Sequence, residues 1–321
     1  MDIINFNDHY LKKDKFLDDL KQHIKKLSDK TNNEYDYPQL IFEEVSDTLL
    51  DRRKNDCNKG TFGTLACVTG SYGMAGAAML CASAACCSGA GIVKTILPDK
   101  IYPIVAGNVW ESVFVPLKTS DEGTLCADDT DKIIEEIEKC SAVVVGCGLK
   151  VTKDTEYIVC EILKRCTKPV ILDADGINCI SKHIDVLKER EFQTIITPHP
   201  GEMSRLCGKS VAEIQKNRIN IAKSFANEYG CIAALKGVGT VIHNGKHGCI
   251  NPSGTGALAT AGTGDVLAGI IGALVCQDID CFKSVIAGVY LHGLCAEYLA
   301  ETYSLAGTTA SDLLTALKII S

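Results

Sequence analysis

The chain has 321 residues, 46% hydrophobic and 23% charged, with a formal net charge of −7; this is ordinary globular composition, long enough for one large α/β domain with a filled core. No stretch approaches the roughly 20 unbroken apolar residues of a membrane span, and no block of Lys and Arg offers a surface for duplex phosphates. Membrane and nucleic-acid partners are therefore not expected, whereas a small anionic ligand held by backbone amides and one or two lysines is compatible with this balance.

From Leu11 to Leu27, Phe16, Leu17, Leu20, Ile24 and Leu27 recur at helical spacing among lysines and aspartates, which predicts an amphipathic helix. The polar stretch Ser28 to Tyr37 ends it, and residues 1–45 read as a helical extension ahead of a body spanning 46–321. Beyond about Leu50, short β-branched or Cys-rich runs at Leu65–Thr69, Ile92–Leu97, Val113–Val115, Ala142–Val145, Val170–Asp173 and Thr194–Thr197 read as strands. Helix-length segments at Ala75–Ser88, Asp129–Lys139 and Asp154–Arg165 lie between several of them. Strands spaced by helices imply right-handed crossovers and a parallel sheet covered on both faces. Ile232–Lys236, Gly239–His243 and Gly248–Asn251 are joined by tight turns at Gly237-Val238 and Asn244-Gly245, so this part is expected to be antiparallel. His243 and His247 flank the second turn and read as surface residues. Helical stretches beginning near Gly264, Cys281 and Thr309 complete the chain.

The 17 cysteines are odd in number and contain no Cys-x-x-Cys, which removes the usual signature of a metal ribbon or redox pair. Those in apolar runs, such as Cys81, Cys86, Cys87, Cys140 and Cys147, are expected to act as small hydrophobes. The opening Met1-Asp2-Ile3-Ile4-Asn5 lacks a secretion pattern, and with reduced thiols the expected setting is cytoplasmic.

The strongest local signal runs from Asn251 to Gly269 and contains Gly262-Thr263-Gly264-Asp265 before an apolar stretch. Glycines let a backbone approach a ligand, and the free amides of a helix N-terminus attract anions. Asp265 in that position would accept a proton from a substrate hydroxyl while nearby amides hold a transferring phosphoryl group. Read alone, the Gly-Thr-Gly-Asp run favours Thr263 or Asp265 as a mere N-cap, and the flanking glycines shift the balance toward a site. Gly89-Ala90-Gly91-Ile92-Val93-Lys94-Thr95 lacks the spacing of a Walker loop, and no Gly-x-Gly-x-x-Gly joins an early strand to a helix.

Further motifs occur in order: Lys59-Gly60-Thr61-Phe62-Gly63, Gly73-Met74-Ala75-Gly76-Ala77-Ala78, Ser88-Gly89-Ala90-Gly91, Leu172 to Asn178, Thr197-Pro198-His199-Pro200-Gly201-Glu202, and Lys236-Gly237-Val238-Gly239-Thr240. With the Gly-Thr-Gly-Asp segment, this series resembles the ADP/ATP-dependent NAD(P)H-hydrate dehydratases over roughly residues 45–320. The resemblance implies a ribokinase-like α/β fold, with a mostly parallel central sheet, helices on both faces and a C-terminal antiparallel portion. It implies a hydro-lyase that uses ADP or ATP to dehydrate the S epimer of hydrated NADH or NADPH, regenerating the cofactor with release of phosphate and AMP or ADP. Asp265 would be the base, flanked by Gly262 and Gly264. Ala77, Gly148, His199 and Asp265 would meet the hydrated dinucleotide, while Lys236, Gly237, Val238, Gly239, Thr240 and Gly264 would meet the adenine nucleotide. Glu202 would hold Mg²⁺ directly or through water, and a homo-oligomer is expected.

Each residue also has a plainer reading. Glu202 would suit a helix N-terminus, His199 a structural hydrogen bond, and Ala77 and Gly148 simple packing. Asp173 and Asp175 end an apolar strand, where carboxylates need a cation or a cap, so they take a supporting metal or capping role. Two other functions use the same base and anion hole or the same nucleotide loop: a ribokinase-fold kinase of a small alcohol such as a hydroxyethylthiazole or hydroxymethylpyrimidine, and a nucleotide-binding sensor without catalysis.

Overall fold

The computed structural model describes residues 56–301 and 303–320. The helix expected over Leu11–Leu27 and the boundary near residue 45 lie outside the described residues. Nine strands form one sheet in the order β3-β2-β1-β4-β5-β6-β7-β8-β9. They are β1 (Thr64–Val68), β2 (Ile92–Pro98), β3 (Ser112–Leu117), β4 (Ala142–Val145), β5 (Val170–Leu172), β6 (Thr194–Ile196), β7 (Ile232–Leu235), β8 (Val241–His243) and β9 (Gly248–Ile250). Pairing is parallel from β3 through β7 and antiparallel from β7 to β9, as the tight turns predicted.

The eleven α-helices among the described residues are α1 (Ala75–Cys87), α2 (Tyr102–Ala106), α3 (Thr130–Glu138), α4 (Lys153–Arg165), α5 (Asp175–Ile180), α6 (Pro200–Cys207), α7 (Val211–Lys216), α8 (Arg218–Tyr229), α9 (Thr263–Cys276), α10 (Cys281–Ala300) and α11 (Ala310–Ile320). Alternation along the strands distributes them. Ala66 and Val68 of β1 join the core under α3 to α8, whereas Leu65 and Cys67 face the core shared with α1, α9 and α10. Every residue of β4, β5, β6 and β7 is buried, as expected for parallel strands covered on both sides. A third cluster, including Ala84, Val266, Leu291 and Leu313, packs α11 onto α1, α9 and α10.

Register sets the position of the functional groups. Val68 pairs with Val145, Val145 with Leu172, and Leu172 with Ile196. The next residues, Thr69, Gly146, Asp173 and Thr197, therefore form a row along the carboxyl edge. That edge includes the place between β1 and β4 where strand order reverses, the usual crevice for ligands in such sheets. Helix α9 supplies the other wall: twelve of its fourteen residues are buried. Side chains such as Val266, Leu267, Ile270, Ile271 and Leu274 contribute about 1.5–3 kcal/mol each on burial, which fixes its N-terminus despite the charged groups there.

Candidate active site

At the end of β5, Asp173 is almost fully buried and paired with Lys236, its Oδ1 lying 2.7 Å from the lysine Nζ. Thr197 at the end of β6 donates its hydroxyl to the same oxygen at 2.6 Å. A buried carboxylate is tolerable only with such compensation. Burial pulls the Lys236 ammonium down, but the charges of Asp173 and Glu202 overcome it and hold the group above the usual lysine range. The loop after β4 encloses Asp173 from the other side. Gly146 has φ 130°, and a Cβ there would lie 1.9 Å from the Asp173 carbonyl oxygen, so only glycine fits. Ala174, immediately after Asp173, has φ 49° and ψ −115°, a strained backbone of the kind that persists where surrounding structure fixes it.

Asp265 stands in the first turn of α9. Gly262 is the N-cap, at φ 91° and with no side-chain capping bond, so the plain N-cap reading of Asp265 and Thr263 does not hold. Thr263 instead donates its hydroxyl to Leu258 and Thr260 carbonyls. At Gly264 an added Cβ would sit 3.4 Å from Lys236 Nζ and 3.6 Å from Asp173 Oδ2, which brings the start of α9 against the lysine-aspartate pair. The first-turn amides and the lysine together create an anion-attracting corner. Burial, reinforced by Asp173, pushes the Asp265 carboxyl up to about 6, with Cys147 and Lys236 drawing it partly back. A carboxylate tuned in this way suits proton abstraction near neutral pH.

Cys147, counted from the sequence as a packing residue, lies in this centre. Its Sγ is 4.0 Å from Asp173 Oδ2, and one ligand atom each from Cys147, Asp173 and Asp265 lie within 4.8 Å of one another. Hydrogen bonding to Cys81, together with burial, keeps the Cys147 thiol protonated far above its ordinary range. It thus serves as a weak donor to carboxylate oxygen. The useful sequence signal was its place between Gly146 and Gly148 at a strand end.

Gly148, at φ 64°, faces α1: a Cβ there would approach that of Ala77 to 2.7 Å. The two expected small residues therefore adjoin, Gly148 being next in sequence to Cys147 of the centre. His199 and Glu202 lie next to the Lys236 strand end, since the Lys236 amide donates to Pro198 O at 2.9 Å. His199 Nδ1 accepts from the Gly201 and Glu202 amides, and Glu202 Oε2 accepts from the His199 amide at 2.8 Å. This reciprocal cap opens α6, so the plainer readings of both residues are realised here, while half of the His199 side chain stays exposed. Burial lifts the Glu202 carboxyl to about 7 and lowers the His199 imidazole, helped by the Lys236 charge.

The Lys236-Gly237-Val238-Gly239-Thr240 loop joins β7 to β8, with Val238 fully exposed at its tip. Asp175, the first residue of α5, accepts the Lys150 amide at 2.9 Å. His243 corrects the expectation of a surface position: it is 2% exposed, because its Nδ1 accepts the Gly245 amide and fastens the β8–β9 turn. His247 is exposed, as expected.

The chain matches the model of the NAD(P)H-hydrate dehydratase family over residues 65–318. It belongs to that family. The ADP-dependent (S)-NAD(P)H-hydrate dehydratase of Neisseria meningitidis is 35% identical over 275 residues, covering 84% of this chain and 88% of that one. The structure of ADP/ATP-dependent NAD(P)H-hydrate dehydratase from Bacillus subtilis, co-crystallized with ATP/Mg²⁺, superposes with a TM-score of 0.74 at 31% identity, covering 89% of this chain and 98% of that one. A ribokinase-like superfamily protein from Enterococcus faecalis shares the fold with a TM-score of 0.75 at 23% identity, covering 89% and 97% of the two chains. The fold is thus ribokinase-like. This dehydratase-family chain spans about half the length of the bifunctional NAD(P)H-hydrate repair enzymes it matches, 51% and 55% in two of them.

Proposed function

We propose that this protein is an ADP- or ATP-dependent dehydratase acting on the S epimer of hydrated NADH or NADPH. The observation that carries the reading is Asp265: a partly buried carboxylate with a pKa of about 6, at the N-terminus of a buried helix and beside the Asp173–Lys236 pair.

Asp265 takes the proton from the ring hydroxyl as its oxygen attacks the terminal phosphorus of the nucleotide, releasing ADP from ATP or AMP from ADP. The first-turn amides at Gly264 and Asp265, with Lys236, stabilise charge on the phosphoryl oxygens. The phosphorylated oxygen is then a good leaving group. Phosphate departs as the ring nitrogen lone pair pushes in, and loss of a proton from the neighbouring carbon restores the dihydronicotinamide. Ala77 and Gly148 leave space for the hydrated ring, His199 flanks it, and the Lys236–Thr240 loop receives the AMP portion. Asp173 positions Lys236 and tunes Asp265.

Mg²⁺ would neutralise phosphate charge when bound with the nucleotide. Its fit to Glu202 is indirect, because one Glu202 oxygen accepts the His199 amide and the other lies 3.2 Å from His199 Nε2. The acid would therefore reach the ion through water, with phosphate oxygens supplying ligands, the usual arrangement for Mg²⁺. The Cys147, Asp173 and Asp265 cluster suits the ion less well, since it offers a thiol and lies against the Lys236 ammonium. No disulfide joins two of the described cysteines, which supports a cytoplasmic setting, and none of the described helices is long and apolar enough to cross a membrane. Exposed Ile104, Trp110 and Val113 near the β3 edge support self-association.

Incubating hydrated NADH with the protein and either nucleotide tests the activity. Recovery of the near-ultraviolet absorbance of reduced nicotinamide, stoichiometric with phosphate release, is expected. A folded, nucleotide-binding protein that gives no recovery would reject the reading, and a stable phosphorylated product would point to a small-alcohol kinase.

A further inference from the structure

Arg218 is the first residue of α8 and lies beneath the loop assigned above to the nucleotide. One terminal nitrogen, Nη2, donates to Leu235 O at 2.8 Å, and the other, Nη1, donates to Val238 O. The guanidinium therefore grips the loop at both ends of Lys236 and Gly237. It also lies flat under Gly237, where an added Cβ would come within 3.0 Å of Nη2, 3.2 Å of Cζ and 3.3 Å of Nη1. Gly237 itself has φ 143°, so the loop combines a glycine-only backbone with an arginine filling the space a side chain would occupy.

The electrostatics of this contact are unusual. No carboxylate among the described residues forms an ion pair with Arg218; Nε is buried without a hydrogen-bond partner, and burial alone depresses the guanidinium from its usual range. A partly desolvated cation is costly without an opposing charge. Its two carbonyl bonds supply only part of the compensation, and they orient those carbonyls away from the space above the loop. An anionic nucleotide bound there would supply the remainder.

We propose that Arg218 is a positioning residue for the nucleotide: its planar fork holds the Lys236–Thr240 loop in its binding conformation and leaves a net positive charge under that loop. This inference rests on the reading of the loop as nucleotide-binding. Lysine cannot replace the arginine, because a single ammonium cannot span two carbonyls in one plane.

The test compares wild-type protein with Arg218→Met and the milder Arg218→Lys. ADP binding is read by titration calorimetry, independently of dehydration, and loop order by elastase cleavage after the exposed Val238. Both variants should bind ADP about tenfold more weakly or worse, the scale of losing one charge-assisted hydrogen bond. Cleavage after Val238 should accelerate, and added guanidinium, below denaturing levels, should restore part of the affinity of Arg218→Met. In the dehydration assay KM for ADP should rise, while KM for hydrated NADH and kcat at saturation stay within about twofold, because the Lys236 ammonium is held at the reacting end by Asp173 and not by Arg218. Unchanged ADP affinity in Arg218→Met, or full restoration by Arg218→Lys, would overturn the proposal, and so would parallel rises in both KM values. If wild-type protein binds ADP through this loop but never regenerates NADH, the dehydratase reading fails and the role of Arg218 stands. If Arg218→Met binds ADP normally and regenerates NADH, the reverse holds.

Discussion

Replacing Asp265 with Asn should abolish turnover and stabilise the fold, a pair of effects with one physical cause. In the native structure burial and the neighbouring Asp173 lift the Asp265 carboxyl to about 6, against an ordinary aspartate value of about 4. Such a displacement corresponds to roughly 3 kcal/mol against the ionised form at neutral pH, reduced to about 1–3 kcal/mol because the residue keeps some contact with solvent. Asparagine has nearly the same shape and no charge, so the variant escapes that cost. For an acid whose folded pKa is raised, the destabilisation is fully present above about pH 6 and disappears as the pH falls toward 4. The variant's advantage should follow the same course, largest at pH 7 to 8 and small near pH 4. Urea titrations of both proteins across this range would measure it. Turnover should fall by at least about 10²–10⁴-fold with removal of the base, while ADP binding persists. In the wild type, kcat/KM for the hydrated cofactor should rise with pH through about 6 as the base ionises. A variant that retains turnover, or that is less stable at pH 7 with the fold intact, would refute the assignment of Asp265 as a strained base.

Lys236→Met should cost about 3–5 kcal/mol in urea titrations, since it leaves the Asp173 carboxylate buried without its cation. In pH-rate profiles it should also move the acid limb upward, because Lys236 draws the Asp265 carboxyl down, and Cys147→Ala should do the same by removing the thiol hydrogen bond. Asp173→Asn should move that limb downward by removing the neighbouring negative charge; identical shifts in all three variants would break the electrostatic account. Gly148→Ala should destabilise by about 1–3 kcal/mol through its left-handed backbone and raise KM for hydrated NADH, because the new methyl meets Ala77; steady-state kinetics with ADP at saturation would show whether the effect is confined to that substrate.

Much of the fold was legible because its signals are local. Fully apolar runs such as Ala142–Val145 can only be strands buried on both faces, and tight turns such as Asn244-Gly245 reverse the chain. Asp265 was legible for the same reason: glycines before it and an apolar helix after it lie within one stretch of sequence. The other charged members of the centre were harder to see, since what defines each is a partner far along the chain. Asp173 and Lys236 are 63 residues apart, and only the pairing of β5, β6 and β7 brings their strand ends together. Cys147 resembles sixteen other cysteines until the β4 end is set beside β5. His243 was misread because polarity and a turn suggest solvent, whereas the turn consumes the imidazole as an acceptor for its own backbone. Arg218 carried no signal at all, lying at the start of a helix with a basic residue on an otherwise ordinary polar face. Its meaning comes from the carbonyls it grips, and carbonyls are invisible in a sequence. The pattern is physical: backbone conformation is written in adjacent residues, but the field that tunes Asp265 is a sum over Asp173, Lys236, Cys147 and Asp175, which only the strand order assembles. A sequence can therefore nominate the base, while the pH at which that base works is a property of the sheet.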